Sequence, residues 1–221
     1  MNFQLIFEEL KQHQDVELAQ QMSAYMKDKF VFLGVKKPLR DKICKPHFNA
    51  AKLLPIDWQF IADCWNANYR EMQYVATDYL RFNKKKLCPE DIPQLCSLIK
   101  CKSWWDTVDS LDQTIGEISF NYPETKSILL EWSKSENFWL RRIAIDHQLL
   151  RKEKTDIPLL EEILINNLEQ TEFFINKAMG WALRDFSKTN PDWVSRFIDR
   201  YKNRMSKLTI REASKYLKSE Q

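Results

Sequence analysis

Asn137-Phe138-Trp139-Leu140-Arg141-Arg142-Ile143-Ala144 is one instance of a pattern that runs through most of the chain. Ala144 has counterparts in Ala76, Ser110 and Ala178, each 34 residues from the next. Five positions before these four stand Glu71, Trp105, Trp139 and Phe173; one position after them stand Thr77, Leu111, Ile145 and Met179. A small residue at constant spacing lets helices approach closely. The ring at constant offset is expected to fill the same slot in every unit. A period of this length with helical content is the mark of a stacked helical-repeat solenoid. The sequence therefore predicts an all-α, curved solenoid that spans residues 1–221 as a single domain.

The rest of the composition agrees. The chain has 221 residues and only three glycines, Gly34, Gly116 and Gly180, which argues against a turn-rich β protein and against any glycine-rich phosphate loop. Leu, Lys, Glu, Ala and Gln are plentiful, and all favour helix. Pro55, Pro89, Pro93, Pro123, Pro158 and Pro191 fall between helical patterns, where helix starts belong. Helix pairs are expected near 57–66 and 69–83, 91–99 and 103–119, 123–133 and 137–151, and 157–167 and 171–188. Two or three helices should precede residue 50, and terminal helices should lie near 191–202 and 207–219. The second helix of each pair carries the aromatic and basic residues, so these should share one concave surface.

Charge and cysteine usage narrow the function classes. Cys44, Cys64, Cys88, Cys96 and Cys101 have no ligand-like spacing, and His13, His47 and His147 do not cluster with them, so no metal site is expected. Free thiols suit a reducing cytosol, and the N-terminal residues resemble neither a signal peptide nor a membrane span. A cytoplasmic monomer with no cofactor and no membrane partner is the expectation. The net charge is only +3, but basic residues concentrate from Arg141 onward. A basic stripe of this kind favours a polyanion, although it is also what an ordinary solvated helix surface looks like.

The chemistry-bearing segment is Lys102-Ser103-Trp104-Trp105-Asp106-Thr107-Val108-Asp109-Ser110. Positions four apart share a helix face, so Trp105 and Asp109 should point the same way. An indole face attracts cations through its quadrupole and a carboxylate through its charge, which together make a cation-selective wall. Trp104 is expected to turn inward, Asp106 to be a structural carboxylate and Trp139 to be a packing ring. Lys177 and Arg184 lie seven apart on one face and could serve phosphate binding or simple solvation.

Three segments now stand together: Lys102–Ser110, Asn137–Ala144, and Glu172-Phe173-Phe174-Ile175-Asn176-Lys177-Ala178-Met179-Gly180-Trp181-Ala182-Leu183-Arg184, which runs on into Ser187-Lys188-Thr189-Asn190-Pro191. With Tyr25-Met26-Lys27, Phe32-Leu33-Gly34 and Arg211-Glu212-Ala213, they closely resemble the bacterial HEAT-like-repeat DNA glycosylases of the AlkD type over nearly the whole chain. The resemblance implies removal of cationic N3- or N7-alkylated purines from duplex DNA, without a closed pocket for the base. It places the catalytic aromatics at Trp105 and Trp181 and the catalytic carboxylate at Asp109. It assigns a DNA-backbone role to Arg142 and puts Tyr25 near the same cleft; the basic residues Lys177, Arg184 and Lys188 complete the expected DNA-binding set. The chemistry of these residues is consistent with that. An alkylated purine is already a cation and leaves with little acid assistance. Asp109 can stabilise the positive sugar and hold the attacking water.

One segment departs from the family pattern. In the relatives, a helix that starts at the proline matching Pro38 meets the minor groove. Here Pro46 follows eight residues later, and an interior proline removes a hydrogen bond and costs about 3 kcal/mol. The sequence predicts that this helix is cut short or bent between Pro38 and Asn49, with Asp41 adding a negative charge where phosphates should pass. Two functions follow: an active alkylpurine glycosylase, or a paralogue that keeps the cleft but binds DNA weakly and excises little. A peptide-binding scaffold would not need the Trp–Asp–Trp set.

Overall fold

The computed structural model describes residues 1–217. Among them are thirteen α-helices and no strand; one isolated bridge joins Val31 and Tyr69. No helix among the described residues is long and apolar enough to cross a membrane. The chain divides into two compact units, Met1–Leu87 and a second that begins at Cys88. All five cysteines are free; burial pushes the Cys44 thiol up to about 12, which makes it inert.

The first unit holds α1 (Phe3–Lys11), α2 (Val16–Tyr25), α3 (Lys37–Ala50), α4 (Trp58–Asn66) and α5 (Arg70–Phe82). Its centre is polar as well as apolar. Glu71 at the start of α5 is fully buried and accepts the backbone N–H groups of Leu33, Gly34 and Val35 at 2.9, 2.9 and 3.1 Å. That clasp fixes the chain entering α3. Gly34 has φ +88°, and a Cβ there would strike the Asp15 carbonyl oxygen, so the tight entry needs glycine.

The predicted break in α3 does not occur. The helix runs unbroken for 14 residues from Lys37 to Ala50, with Pro46 inside it. The reason lies in which face the proline occupies. Arg40, Cys44 and Phe48, spaced four apart, are buried; Pro46 and Lys42 face solvent. The carbonyl that Pro46 cannot serve belongs to Lys42, an exposed residue, so water can replace the lost hydrogen bond. Meanwhile Phe48 packs on Tyr79 and Phe82 (ring centroids 5.5 and 5.8 Å). The Arg40 guanidinium pairs with Asp78 at 3.2 Å and lies 4.8 Å from the Tyr74 ring. Burying one phenyl group is worth about 1.5–3 kcal/mol, comparable to the proline penalty. Nor is Asp41 an isolated negative charge: Lys37 meets it at 2.8 Å, one turn away.

The second unit carries α6 (Ile92–Lys100), α7 (Trp105–Asn121), α8 (Lys126–Trp132), α9 (Phe138–Asp146), α10 (Ile157–Ile165), α11 (Phe173–Ser187), α12 (Pro191–Tyr201) and α13 (Lys207–Ala213). Helices α7, α9 and α11 pack in succession, and α13 packs on α11. The repeated small residues are buried as the period requires: Ala76 in α5, then Ser110, Ala144 and Ala178 in α7, α9 and α11. The residues five positions earlier do not fill one common slot. Glu71 is the clasp just described, Trp139 is buried in packing, and Phe173 is 57% exposed. Helix α9 also ends at Asp146, short of the expected 151. Leu150 and Lys152 take left-handed backbone (φ 67° and 53°), which a helix cannot absorb. The Leu150 N–H is captured by the Asp185 carboxylate at 2.6 Å. The terminal helix expected near 207–219 closes at Ala213, and its last expected residues lie outside the described range.

Candidate active site

The site is built on α7, α9 and α11 of the second unit. Asp109 lies one turn after Trp105 on α7; both are partly exposed. Helix α9 begins at an asparagine cap, where the Asn137 carboxamide oxygen accepts the Trp139 N–H at 2.9 Å. That start places Arg142 one turn in, facing α7. The Arg142 Nε donates to Asp109 Oδ1 at 2.6 Å and its Nη2 to Oδ2 at 2.7 Å, while Nη1 donates to the Phe174 carbonyl at 2.7 Å. This is the parallel two-bond pairing that a planar guanidinium makes with a carboxylate. The Arg142 guanidinium also lies 5.0 Å from the Trp181 ring centre, and the Lys177 ammonium lies 5.9 Å from the same ring. Arg142 thus links the α7 carboxylate to the α11 indole.

Charge at the site is unbalanced toward the acids. Asp146 lies one turn after Arg142, 3.9 Å from its Nε, and Asp112 follows Asp109 on α7. Burial pushes the Asp109 carboxyl above its ordinary range, while the hydrogen bonds and charge of Arg142 pull it down. Burial raises Asp146 to about 7 against the attraction of Arg142. Asp112 is driven well above the usual value by burial, then by the charges of Asp146 and Asp109. For Arg142, burial opposes the charge, but Asp146 and Asp109 outweigh it and hold the guanidinium protonated.

The sequence-predicted residues divide by place. Trp105, Asp109, Arg142, Lys177, Trp181 and Arg184 all lie on α7, α9 and α11. Arg142 is only 2% exposed with its fork occupied by Asp109, so a phosphate would have to compete with that carboxylate. Lys177 and Arg184 do not stand free in solvent either. Both reach the buried Glu212 of α13, at 2.9 and 2.8 Å, joined there by Lys215 at 2.8 Å. Lys188, just past α11, is more exposed; it lies 5.1 Å from the Tyr216 ring and 3.7 Å from Asp185. Tyr25 ends α2 in the first unit and is 69% exposed.

Trp104 caps the start of α7 and meets Trp139 and Phe174 edge-on, at 5.9 and 5.2 Å. Trp139 is buried among these rings. Asp106 raises Asp109 slightly through its charge. Sequence reasoning missed Asp146 and Asp112, and gave Glu212 no role of its own. Asp146 could have been found from its place four residues after Arg142, since i,i+4 acid–base pairs share a helix face. Among the described residues, no group of three or more His, Cys, Asp or Glu is arranged to hold a metal ion.

Comparison with known proteins agrees with this picture. A sequence model of the DNA alkylation repair enzyme family matches residues 6–217. A solved structure described as a predicted DNA alkylation repair enzyme from Enterococcus faecalis superposes with a TM-score of 0.87 at 36% identity, covering 93% of this chain and 97% of that one. AlkD2 from Streptococcus mutans shares the fold at a TM-score of 0.62 and 20% identity, over 79% of this chain and 90% of its own. A search of curated proteins finds no match.

Proposed function

The chain belongs to the DNA alkylation repair enzyme family, and from that premise we propose that it is a monofunctional glycosylase that excises cationic N3- and N7-alkylpurines from duplex DNA. The observation that carries the reading is the clustering of Asp109, Arg142 and Trp181 on three packed helices, with Trp105 one turn from Asp109.

The division of labour follows from the chemistry. The alkylated base is a cation and a good leaving group, so the barrier lies in the positive charge that grows on the sugar. Asp109, held rigid by two hydrogen bonds, stabilises that charge and positions a water on it. Because Arg142 fixes the carboxylate beforehand, little reorganisation is needed as the charge develops. Trp105 and Trp181 offer indole faces to the cationic base and sugar, each interaction worth roughly 0.5–2 kcal/mol. The Trp181 face already lies beside two cations in the resting protein, as a cation-receptive ring would.

Duplex DNA is held through its phosphates and without strong sequence preference. Around Glu212, three cations converge on one carboxylate, which leaves surplus positive charge there. Tyr25 and the exposed lysines of the unbroken helix α3, Lys42 and Lys45, extend the DNA-binding set. The continuity of α3 favours this reading over a weak-binding, inactive paralogue. Excision of 7-methylguanine from a duplex oligonucleotide, with binding measured alongside, tests the proposal. Binding without release of the base would refute the glycosylase assignment.

A further inference from the structure

The Asp109–Arg142 pair poses an electrostatic problem for the proposed reaction. A carboxylate locked to a guanidinium has no net charge, so a cation in front of it feels little more than a dipole. Something must offset the arginine if Asp109 is to act as a full negative charge.

We infer that Asp146 is a positioning residue for the proposed reaction: it offsets the charge of Arg142, so that Asp109 meets a cationic ligand with its own charge uncompensated. The geometry supplies the argument. Asp146 is only 2% exposed and lies 3.9 Å from Arg142 Nε. Neither of its oxygens has a hydrogen-bond partner among the described residues. A buried carboxylate kept for structure accepts hydrogen bonds. Asp146 accepts none, so its strong interaction is with the Arg142 charge alone. Asp109 holds the guanidinium at Nε and Nη2 through two hydrogen bonds, and Asp146 stands near the same Nε and acts through charge. With both ionised, the trio carries −1; with Asp146 protonated, it carries none.

The groups that reach Asp146 are few. Arg142 on its own helix favours its ionised form, and Asp109 on α7 opposes it. On α7, the Asp112 carboxyl is itself driven well above its usual value by burial, then by the charges of Asp146 and Asp109. On α11, Lys177 and Arg184 are turned to Glu212, and α6, α8 and α10 contribute no charge that moves it. Asp146 therefore ionises near pH 7, and the trio turns from neutral to negative as pH rises through that value.

The inference rests on the proposed role of Asp109, and its test is separable from that role. Two duplexes differ at one nucleotide: a pyrrolidine abasic site, which is cationic, and its neutral tetrahydrofuran counterpart. The ratio of their affinities reads the charge of the cleft without any chemistry. The wild type should prefer the cation about tenfold at pH 8, and the preference should shrink toward pH 6. Asp146→Asn should lose the preference and its pH dependence, while affinity for the neutral duplex is kept and the variant unfolds no more easily than the wild type. Retention of the wild-type ratio and pH profile in Asp146→Asn overturns the inference, as does a wild type with no preference for the cation. Excision of 7-methylguanine, followed beside it, judges the glycosylase reading independently. A wild type that discriminates but does not excise refutes that reading and not the charge role of Asp146.

Discussion

Two charge clusters in the second unit are built from the same residue types in opposite proportion. On α7 and α9, three carboxylates gather about one guanidinium: Asp109, Asp112 and Asp146 around Arg142. On α11 and α13, three cations gather about one carboxylate: Lys177, Arg184 and Lys215 around Glu212. Titration behaviour inverts with the proportion. Asp146 is raised to about 7, burial first and like charge beside it; Glu212 is pulled down to about 2 by the hydrogen bonds from Lys215 and Lys177. The first cluster carries an excess of acid and the second leaves positive charge to spare. A glycosylase for cationic bases needs both, one for the lesion and one for the phosphates around it.

The comparison can be broken most forcefully at Arg142. Arg142→Leu should leave buried carboxylates without their counter-charge and destabilise the fold by about 3–5 kcal/mol at pH 8. The loss should ease toward pH 5, where Asp146 regains its proton. Chemical denaturation at both pH values checks this, and equal losses would contradict the picture.

Asp146→Asn should act in the opposite direction. An acid whose folded pKa lies above its unfolded value stabilises fully only below the unfolded value, and that contribution is lost as pH rises through the folded one. From 3.8 to about 7, the variant should therefore gain on the wild type. At 1.36 kcal/mol per unit, the gain has an upper bound of about 4 kcal/mol. Unfolding measured at pH 4 and pH 8 should show the gap widening in the variant's favour.

At the second cluster the sign reverses. The Glu212 carboxyl is depressed in the folded state, so its contribution is present above its unfolded value of 4.5 and lost as pH falls toward 2. Glu212→Gln should cost about 1–3 kcal/mol at pH 7, discounted because its partners are partly solvated, and roughly a quarter of that at pH 2.5.

These clusters also mark how far the sequence could be read. The 34-residue recurrence of Ala76, Ser110, Ala144 and Ala178 was legible because close helix packing demands a small residue at each crossing, and all four are buried. Trp105 and Asp109 were legible because four-residue spacing fixes a common face. Pro46 misled because the proline penalty depends on which way the freed carbonyl points, and a face of α3 open to water is a tertiary fact. Arg142 was expected to seek phosphate, but its partners come from helices 33 and 32 residues away. The same holds for Glu212, whose partners Lys177 and Arg184 lie 35 and 28 residues back along the chain.

A smaller effect is expected on α3. Lys42→Ala and Lys45→Ala remove exposed cations from an intact helix. For every phosphate that one of these lysines neutralises, its removal should lower the slope of log affinity against log salt by about 0.9. An unchanged slope in the double variant would remove α3 from the DNA-binding set.

The most direct measurement is single-turnover release of 7-methylguanine from duplex DNA at saturating protein, comparing the wild type with Asp109→Asn. The account predicts steady release by the wild type and a loss of at least about a hundredfold in the variant, the scale of removing a group that stabilises developing charge, with DNA affinity kept. Equal release by the two proteins, or none by the wild type when the DNA is fully bound, would contradict it.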